Sequence, residues 1–443
     1  MASAIKDVFG EKGNVQMNKK NILIYAHYYA PDVASTGQIL QDLAEGMKDD
    51  FNVTVICTVP SYTGVINDNY KENKLYKEKI NGVNIIRVPV PEFNKTSKKS
   101  RIKNIIVYFL NASKATRMVG VKDYVLAISQ PPILGGMLGV YAKKILRTNE
   151  GRHPKFIYCI QDFNPEQIEV TNYIKIKSLI NLARWLDKRS CRISDSVITV
   201  GRDLVDTLKK RFNGRDMPKY TMINNWINEK EIHPLSSDNP CVMEFKRQYG
   251  LENKFIIMYS GNIGLYYDLE GLIKVVEKFN DAKTHDERCV TFAFVGEGAL
   301  LDKLVSYKEE HKLSNVVFIP YQDKEKLIYS LNAADVHWCV NAKGIKGVSC
   351  PSKFYGIIGV GKPVLGVLEV GSEVEMLISE MGCGRVSEPG DYKAIEENID
   401  WFLSHVGTNE FVEMGKRGYE YLIKNLTKDV GIKKYIDAIG EVS

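Results

Sequence analysis

Phe255-Ile-Ile-Met-Tyr-Ser-Gly-Asn-Ile-Gly264 is an apolar run of strand length closed by a turn that carries two glycines. Leu269, Leu272, Ile273 and Val276 follow it at helical spacing. The same succession opens the chain. Asn21-Ile-Leu-Ile-Tyr-Ala26 is the apolar run, Tyr29-Ala-Pro-Asp-Val-Ala-Ser-Thr-Gly37 the turn, and Ile39, Leu40, Leu43 and Met47 the helical stripe. Strands alternating with helices imply a parallel, doubly wound sheet, because parallel neighbours need a crossover between them. A pattern that restarts in mid-chain implies two such sheets. Working outward, strands are expected at 51–57, 83–90, 124–129, 156–160 and 196–200 in the first half. In the second half they are expected at 291–295, 316–319, 336–340 and 364–368. The fold class is therefore α/β, with two Rossmann-like domains and a site in the cleft at the carboxyl ends of the strands.

Size and composition agree with that division. A chain of 443 residues exceeds one comfortable core, and two domains of roughly 200 residues are the expectation. The boundaries read as an N-terminal extension (1–20), a first domain (21–226), a linker (227–240), a second domain (241–405) and a terminal segment (406–443) that is helical by pattern from Phe411 to Ile436. The linker is rich in Glu, Lys, Ser, Asp and Pro. A net charge of +6 over this length is mild and excludes a dispersed nucleic-acid surface. Eight cysteines without Cys-x-x-Cys spacing argue for reduced thiols in the cytoplasm and against a disulfide frame or zinc site. Met1–Asn21 is polar and lacks the apolar core of a signal peptide, and Met17 is an alternative start. The longest apolar region, Tyr124–Tyr141, is broken by Gln130-Pro-Pro132 and Gly135-Gly136, so it reads as strand, turn and helix instead of a membrane span.

The chemistry concentrates in Val348-Ser-Cys-Pro-Ser-Lys-Phe-Tyr-Gly-Ile-Ile-Gly-Val-Gly-Lys-Pro-Val364. It reads as loop, helix, tight turn and buried strand. The loop brings Ser349, Ser352, Lys353 and unpaired amides to a helix start, where an anion is favoured. A phosphate site is one reading. An ordinary capped helix with a surface lysine is the other.

Taken in order, several motifs resemble family 4 retaining glycosyltransferases, in the branch that builds bacterial surface polysaccharides of the colanic-acid and O-antigen type. They are Tyr28-Tyr-Ala-Pro31, Ser35-Thr-Gly-Gln38, Gly82-Val-Asn-Ile-Ile-Arg-Val88, Gln161-Asp-Phe-Asn-Pro-Glu166, Asn224-Asn-Trp226, Gly261-Asn-Ile-Gly264, Gly296-Glu-Gly298, Ala334-Asp-Val336 and Pro351-Ser-Lys-x-Tyr-Gly356 with Gly361-Lys-Pro-Val364. The resemblance spans about residues 20 to 440. It implies a GT-B fold with a C-terminal helix crossing back to the N-terminal domain. It also implies a nucleotide-sugar donor, UDP-linked, on the C-terminal domain, an acceptor on the N-terminal domain, and no obligatory metal. The chain departs from the family where two glutamates are usual, since Val348 and Gly356 occupy those places. The loop after Ser260 lacks the usual cations, and Gln161 stands where a histidine is common.

The candidate residues follow. Lys353 is assigned to the departing diphosphate, with Ser352 and helix-start amides beside it, because loss of such a donor costs ~10²–10³ in rate. Gly261, Asn262 and Gly264 allow close backbone approach to the donor, though a plain turn reads the same way. Gly37, with Ser35 and Thr36 at a helix start, meets the diphosphate from the opposite wall or simply caps its helix. Gly296 and Glu297 lie where the nucleoside belongs, or form a simple turn. Glu373 and Glu375 are candidates for sugar hydroxyls in place of the missing glutamates, or helix-start acids. Asp162, at a strand end, is a catalytic candidate and the polar group of the N-terminal wall nearest the acceptor, or a cap or loop acid. His27 and Gln161 are placed on the acceptor side, though a lone histidine also reads as structural. No covalent nucleophile is nominated. No Asp-x-Asp or histidine cluster suggests a metal, and no cofactor beyond the donor is expected.

Between Pro91 and Met118, Lys95, Lys98, Lys99, Arg101, Lys103, Lys114 and Arg117 accompany Ile102, Ile105, Ile106, Phe109 and Leu110 at helical spacing. A basic amphipathic helix at 95–117 reads as an anionic membrane contact, and equally as a helix packed on the sheet with a solvated basic face. The expectation is a glycosyltransferase of hexosyl or N-acetylhexosaminyl type acting on a lipid-linked glycan, peripheral on the inner face of the plasma membrane. Two rivals are a catalytically silent subunit of the same fold and a sugar-nucleotide epimerase.

Overall fold

The computed structural model describes residues 19–32, 34–94, 97–170 and 176–442. Most of the expected N-terminal extension, and Lys95 of the basic segment, lie outside the described residues, as does the side chain of Ser35. The first half runs β1 (Lys20–Tyr25), α1 (Ser35–Gly46), β2 (Phe51–Thr58), β3 (Tyr76–Ile80), β4 (Val83–Val88), α2 (Lys98–Thr116), β5 (Tyr124–Ile128), α3 (Leu134–Ile145), β6 (Lys155–Ile160), α4 (Glu166–Val170), α5 (Lys177–Ile193), β7 (Ser196–Thr199), α6 (Arg202–Phe212) and β8 (Tyr220–Met222). The second half runs α7 (Pro240–Gln248), β9 (Phe255–Ser260), α8 (Leu269–Glu277), β10 (Val290–Val295), α9 (Leu301–Glu310), β11 (Val316–Ile319), α10 (Lys324–Ala333), β12 (Val336–Val340), α11 (Lys353–Gly359), β13 (Val364–Val367), α12 (Glu373–Met381) and β14 (Gly384–Ser387). Three helices close the chain: α13 (Tyr392–His405), α14 (Asn409–Asn425) and α15 (Lys428–Gly440).

These elements form an eight-stranded sheet, order β3-β4-β2-β1-β5-β6-β7-β8, and a six-stranded sheet, order β11-β10-β9-β12-β13-β14. All pairings are parallel except β3 with β4. The opening strands β1 and β9 sit inside their sheets, and burial on both faces explains why each reads as a continuous apolar run. Strand order reverses beside both β1 and β9. Each cleft-facing edge is therefore a switch point, where loops diverge and leave room for a ligand.

The terminal segment, expected to pack back on the N-terminal domain, does so only in part. Its continuous helical pattern is interrupted at Leu426, and Thr427 caps a new helix by accepting a hydrogen bond from the Val430 amide at 3.3 Å. Helix α14 stays with the C-terminal domain against α11, α12 and α13. Only α15 crosses, placing Ile432, Tyr435, Ala438 and Ile439 in the core beneath the N-terminal sheet. The cysteines at all eight positions are free thiols.

Candidate functional site

On the C-terminal side, the loops after β9 and β10 press backbone against backbone. The Ile263 amide donates to the Glu297 carbonyl at 2.7 Å, and the Gly261 amide to the Val295 carbonyl at 2.9 Å. Gly296 has φ +137°, and a Cβ there would lie 2.1 Å from the Gly261 carbonyl oxygen. No larger residue fits without moving that loop. Gly261, at φ +141°, is in turn crossed by the Lys353 side chain, whose Cε would lie 2.4 Å from a Cβ at that position. The two glycine motifs and the lysine, far apart in sequence, thus meet at one place at the carboxyl edge of the sheet.

Lys353 begins α11 and reaches over two rings, its Nζ 3.6 Å from the Tyr267 centroid and 5.1 Å from that of Tyr259. Those faces hold the ammonium in place without neutralising it. The Tyr259 hydroxyl donates to the Asn262 carbonyl at 2.6 Å and fixes the loop beside it. Ser352 is exposed at the helix start, and its hydroxyl makes no capping bond. Asn262 and Glu297 are exposed on the same two loops, and Gly264 is buried beneath them.

The N-terminal wall is built differently. A cleft of about 230 Å³ lies at the carboxyl ends of β1, β5 and β6. Its polar lining includes His27, Arg101, Asn104, Gln130, Asp162 and Gln167. His27 is buried and its Nε2 has no hydrogen-bond partner. Burial pushes its pKa down to about 4, only partly offset by the nearby Asn104 amide, so the ring is neutral near pH 7. The pKa of Asp162 is raised by burial, against the hydrogen bonds it receives from Ser349 and Gln130. Gly37 sits at the start of α1, in a small recess shared with His27 and Gln130.

Three of the expected site residues turn out to be occupied by the protein itself. Glu373 is buried and accepts from the Arg202 amide (2.7 Å), the Arg202 guanidinium (2.8 Å) and the Asn224 amide (2.9 Å). It ties the two domains together, and its carboxylate is buried in that junction. Glu375 accepts from the Gly371 amide and the Ser379 hydroxyl at 2.7 and 2.9 Å, stitching the start of its own helix. Gln161 pairs amide to amide with Asn225 at 2.7 and 3.1 Å, so its hydrogen-bonding capacity is spent under the sheet edge. The acceptor-side polar groups that the sequence reading missed are Asn104, Gln130 and Gln167. They come from three separate elements, and no local motif marks them.

The loop leading to Lys353 is clamped between the walls. Phe163 donates its amide to the Val348 carbonyl at 2.8 Å, Asp162 and Ser349 form an antiparallel bridge, and the Gly347 amide donates to Asp203 Oδ2 at 2.8 Å. Val348, in one of the two places where the resembled family has a glutamate, is therefore a buried part of the domain junction. Gly356, in the other, lies within α11. Among the described residues, no group of three or more His, Cys, Asp or Glu is placed to hold a metal ion. No described helix is long and apolar enough to cross a membrane.

Residues 243–421 match the family model described as glycosyl transferases group 1. A Pseudomonas aeruginosa protein named as the glycosyltransferase WbjE is 27% identical over 315 residues, covering 70% of this chain and 74% of its own. WcaI of Escherichia coli (strain K12), named for colanic acid biosynthesis glycosyl transfer, is 22% identical over 434 residues, covering 94% and 99%. Among solved structures, sucrose-phosphate synthase from Thermosynechococcus elongatus superposes with a TM-score of 0.73 at 13% identity, covering 96% of this chain and 99% of its own. Anabaena HepE in complex with UDP and glucose superposes with a TM-score of 0.66 at 14% identity, covering 95% and 99%. The overall fold is GT-B.

Proposed function

From a GT-B chain whose C-terminal domain matches group 1 glycosyl transferases, we propose a retaining enzyme that moves a hexosyl or N-acetylhexosaminyl group from a UDP-sugar to a lipid-linked glycan. The observation that carries this reading is the Lys353 ammonium, held over Tyr259 and Tyr267 beside the interlocked glycine loops. That is a fixed positive charge at the carboxyl edge of the sheet, suited to a diphosphate. As the bond from the sugar C1 to the diphosphate oxygen breaks, negative charge grows on the leaving group, and Lys353 stabilises it. The acceptor hydroxyl attacks from the same face, and its proton passes to the departing diphosphate. The chain supplies no covalent nucleophile in this scheme.

The N-terminal wall holds the acceptor. Neutral His27, whose buried Nε2 has no partner within the protein, is proposed to meet an acceptor hydroxyl, with Asp162 lining the same cleft. The HepE complexes with UDP support the choice of nucleotide, and the names of WbjE and WcaI support a role in surface polysaccharide synthesis. The transfer is proposed to need no metal, because Lys353 supplies the charge that a divalent ion would otherwise bring. The membrane is met through α2, whose Ile102, Ile106 and Leu110 are about half exposed between Lys98, Lys99, Lys103 and Lys114. The peripheral location at the inner membrane face is part of this proposal.

The test is a panel of UDP-sugars with polyprenyl-diphosphate-linked glycan, read as UDP release and acceptor mass, with and without EDTA. Transfer that persists in EDTA is expected. Activity lost in EDTA and restored by Mg²⁺ would overturn metal independence. UDP binding without release in the presence of every acceptor would favour the silent-subunit reading.

A further inference from the structure

Helices α2, α3 and α5 lie side by side on one face of the eight-stranded sheet, α3 packing against both neighbours. The outward surface of α5 is unusual. Leu179, Leu182 and Trp185 are 46%, 51% and 58% exposed, although Ile180, Asp187, Ser190 and Cys191 of the same helix are buried. Its exposed charges are cationic: Lys177, Arg189 and Arg192, with the Arg189 guanidinium 5.9 Å from the Trp185 ring. The nearby carboxylates are already paired. Asp187 is bound by Tyr158 and Arg211, Glu166 by Arg211 and Arg184, and Glu169 by Arg184. A helix face of Leu and Trp edged by arginines, with its acids neutralised inward, is complementary to an anionic bilayer surface.

We propose that α5 is a second lipid-contacting helix, inserting Leu182 and Trp185 into an anionic membrane alongside α2. This rests on the α2 membrane contact proposed above and extends it. Two helices separated by α3 define a plane, whereas one alone leaves the protein free to roll. That plane has a consequence for the acceptor. The cleft is lined by Arg101, Asn104 and Ile105 of α2, while Ile102 and Ile106 of that helix point outward. Docking through both helices therefore brings the mouth of the acceptor cleft to the bilayer surface, where a lipid-linked glycan arrives.

Trp185 reports on its own insertion, because Trp226 and Trp338 are buried and Trp401 is removed by difference against Trp185→Phe. The full chain is mixed with vesicles of phosphatidylglycerol and phosphatidylcholine, with and without brominated acyl chains, and both sedimentation and Trp185 emission are followed. Quenching of Trp185 by brominated chains is expected. The double variant Leu182→Ser, Trp185→Ser should partition at least ~10-fold less. It should keep its unfolding midpoint and its activity on a soluble acceptor analogue. If the double variant sediments like the parent, or Trp185 stays unquenched on bound protein, α5 does not touch lipid, while the α2 contact and the transfer reading stand. Failure of the parent itself to bind anionic vesicles overturns both membrane contacts. A concentration-dependent dimer in the parent, abolished by Trp185→Ser, assigns the face to a second copy of the chain and overturns the proposal.

Discussion

After the first strand of each sheet the chain builds a different kind of wall. Beyond β9, Gly261 and Gly296 remove side chains altogether, and the Lys353 side chain crosses the glycine contact with its positive charge. Beyond β1 the chain continues into His27 and Tyr28, and the wall is a set of side-chain dipoles, with Arg101 and Asp162 supplying one charge of each sign. Bare backbone with a fixed cation suits a diphosphate, which is rich in acceptors and negative charge. A neutral imidazole among amides suits hydroxyl groups, which donate and accept but carry no charge. Under the proposed function, the same strand-end geometry is put to two ligand chemistries, according to whether side chains are absent or present.

The largest effect is expected on the C-terminal wall. Lys353→Ala should lower turnover by at least ~10²-fold while leaving the unfolding midpoint unchanged, since one charged donor to a leaving diphosphate is worth ~3 kcal/mol. Steady-state UDP release would check it, and near-parental activity would remove Lys353 from the chemistry.

The next effect concerns acid. Burial pushes the pKa of both His27 and His337 down to about 4. An unfolded histidine titrates near 6.5, so between those values the unfolded chain takes up protons that the fold refuses. The stability is complete above pH 6.5 and is lost as pH falls toward 4, by about 2 kcal/mol per histidine at pH 5. Urea unfolding at pH 7 and pH 5 should show His27→Gln losing about 2 kcal/mol less than the parent. Equal losses would mean that His27 is not desolvated.

Glu373 sharpens the comparison from the junction. Glu373→Gln should cost about 1–2 kcal/mol of stability, because it removes a charge-assisted tie to Arg202, whose own partial exposure limits the loss. UDP affinity should stay within about two-fold, as measured by calorimetry. A large loss of UDP affinity with unchanged stability would return Glu373 to the donor site. The smallest effect belongs to the N-terminal wall. His27→Ala should raise the acceptor KM by about 10-fold with little change in donor affinity, as expected for one lost hydrogen bond.

Much of this was legible in sequence because it is local. Continuous apolar runs marked the buried strands, while β3, β8 and β14 escaped because these edge strands are largely part-exposed and carry no continuous apolar run. Lys353 and the glycines announced themselves through spacing to a strand or helix start. The true partners of Glu373 did not, since Arg202 stands 171 residues away and nothing in either segment points to the other. The same holds for the Tyr267 ring under Lys353 and for Asn104 beside His27, which only the tertiary fold brings together. In α5 the apolar spacing was present, but only burial separates an outward stripe from a core one.

The central claim is that Lys353, on the C-terminal wall, carries the diphosphate. Calorimetric titration of UDP into the parent, Lys353→Ala and His27→Ala tests it most directly. The account predicts that Lys353→Ala binds UDP at least ~10-fold more weakly and that His27→Ala binds it like the parent. Loss of UDP affinity in His27→Ala, with Lys353→Ala unaffected, would place the nucleotide on the opposite wall and contradict the assignment of donor and acceptor sides.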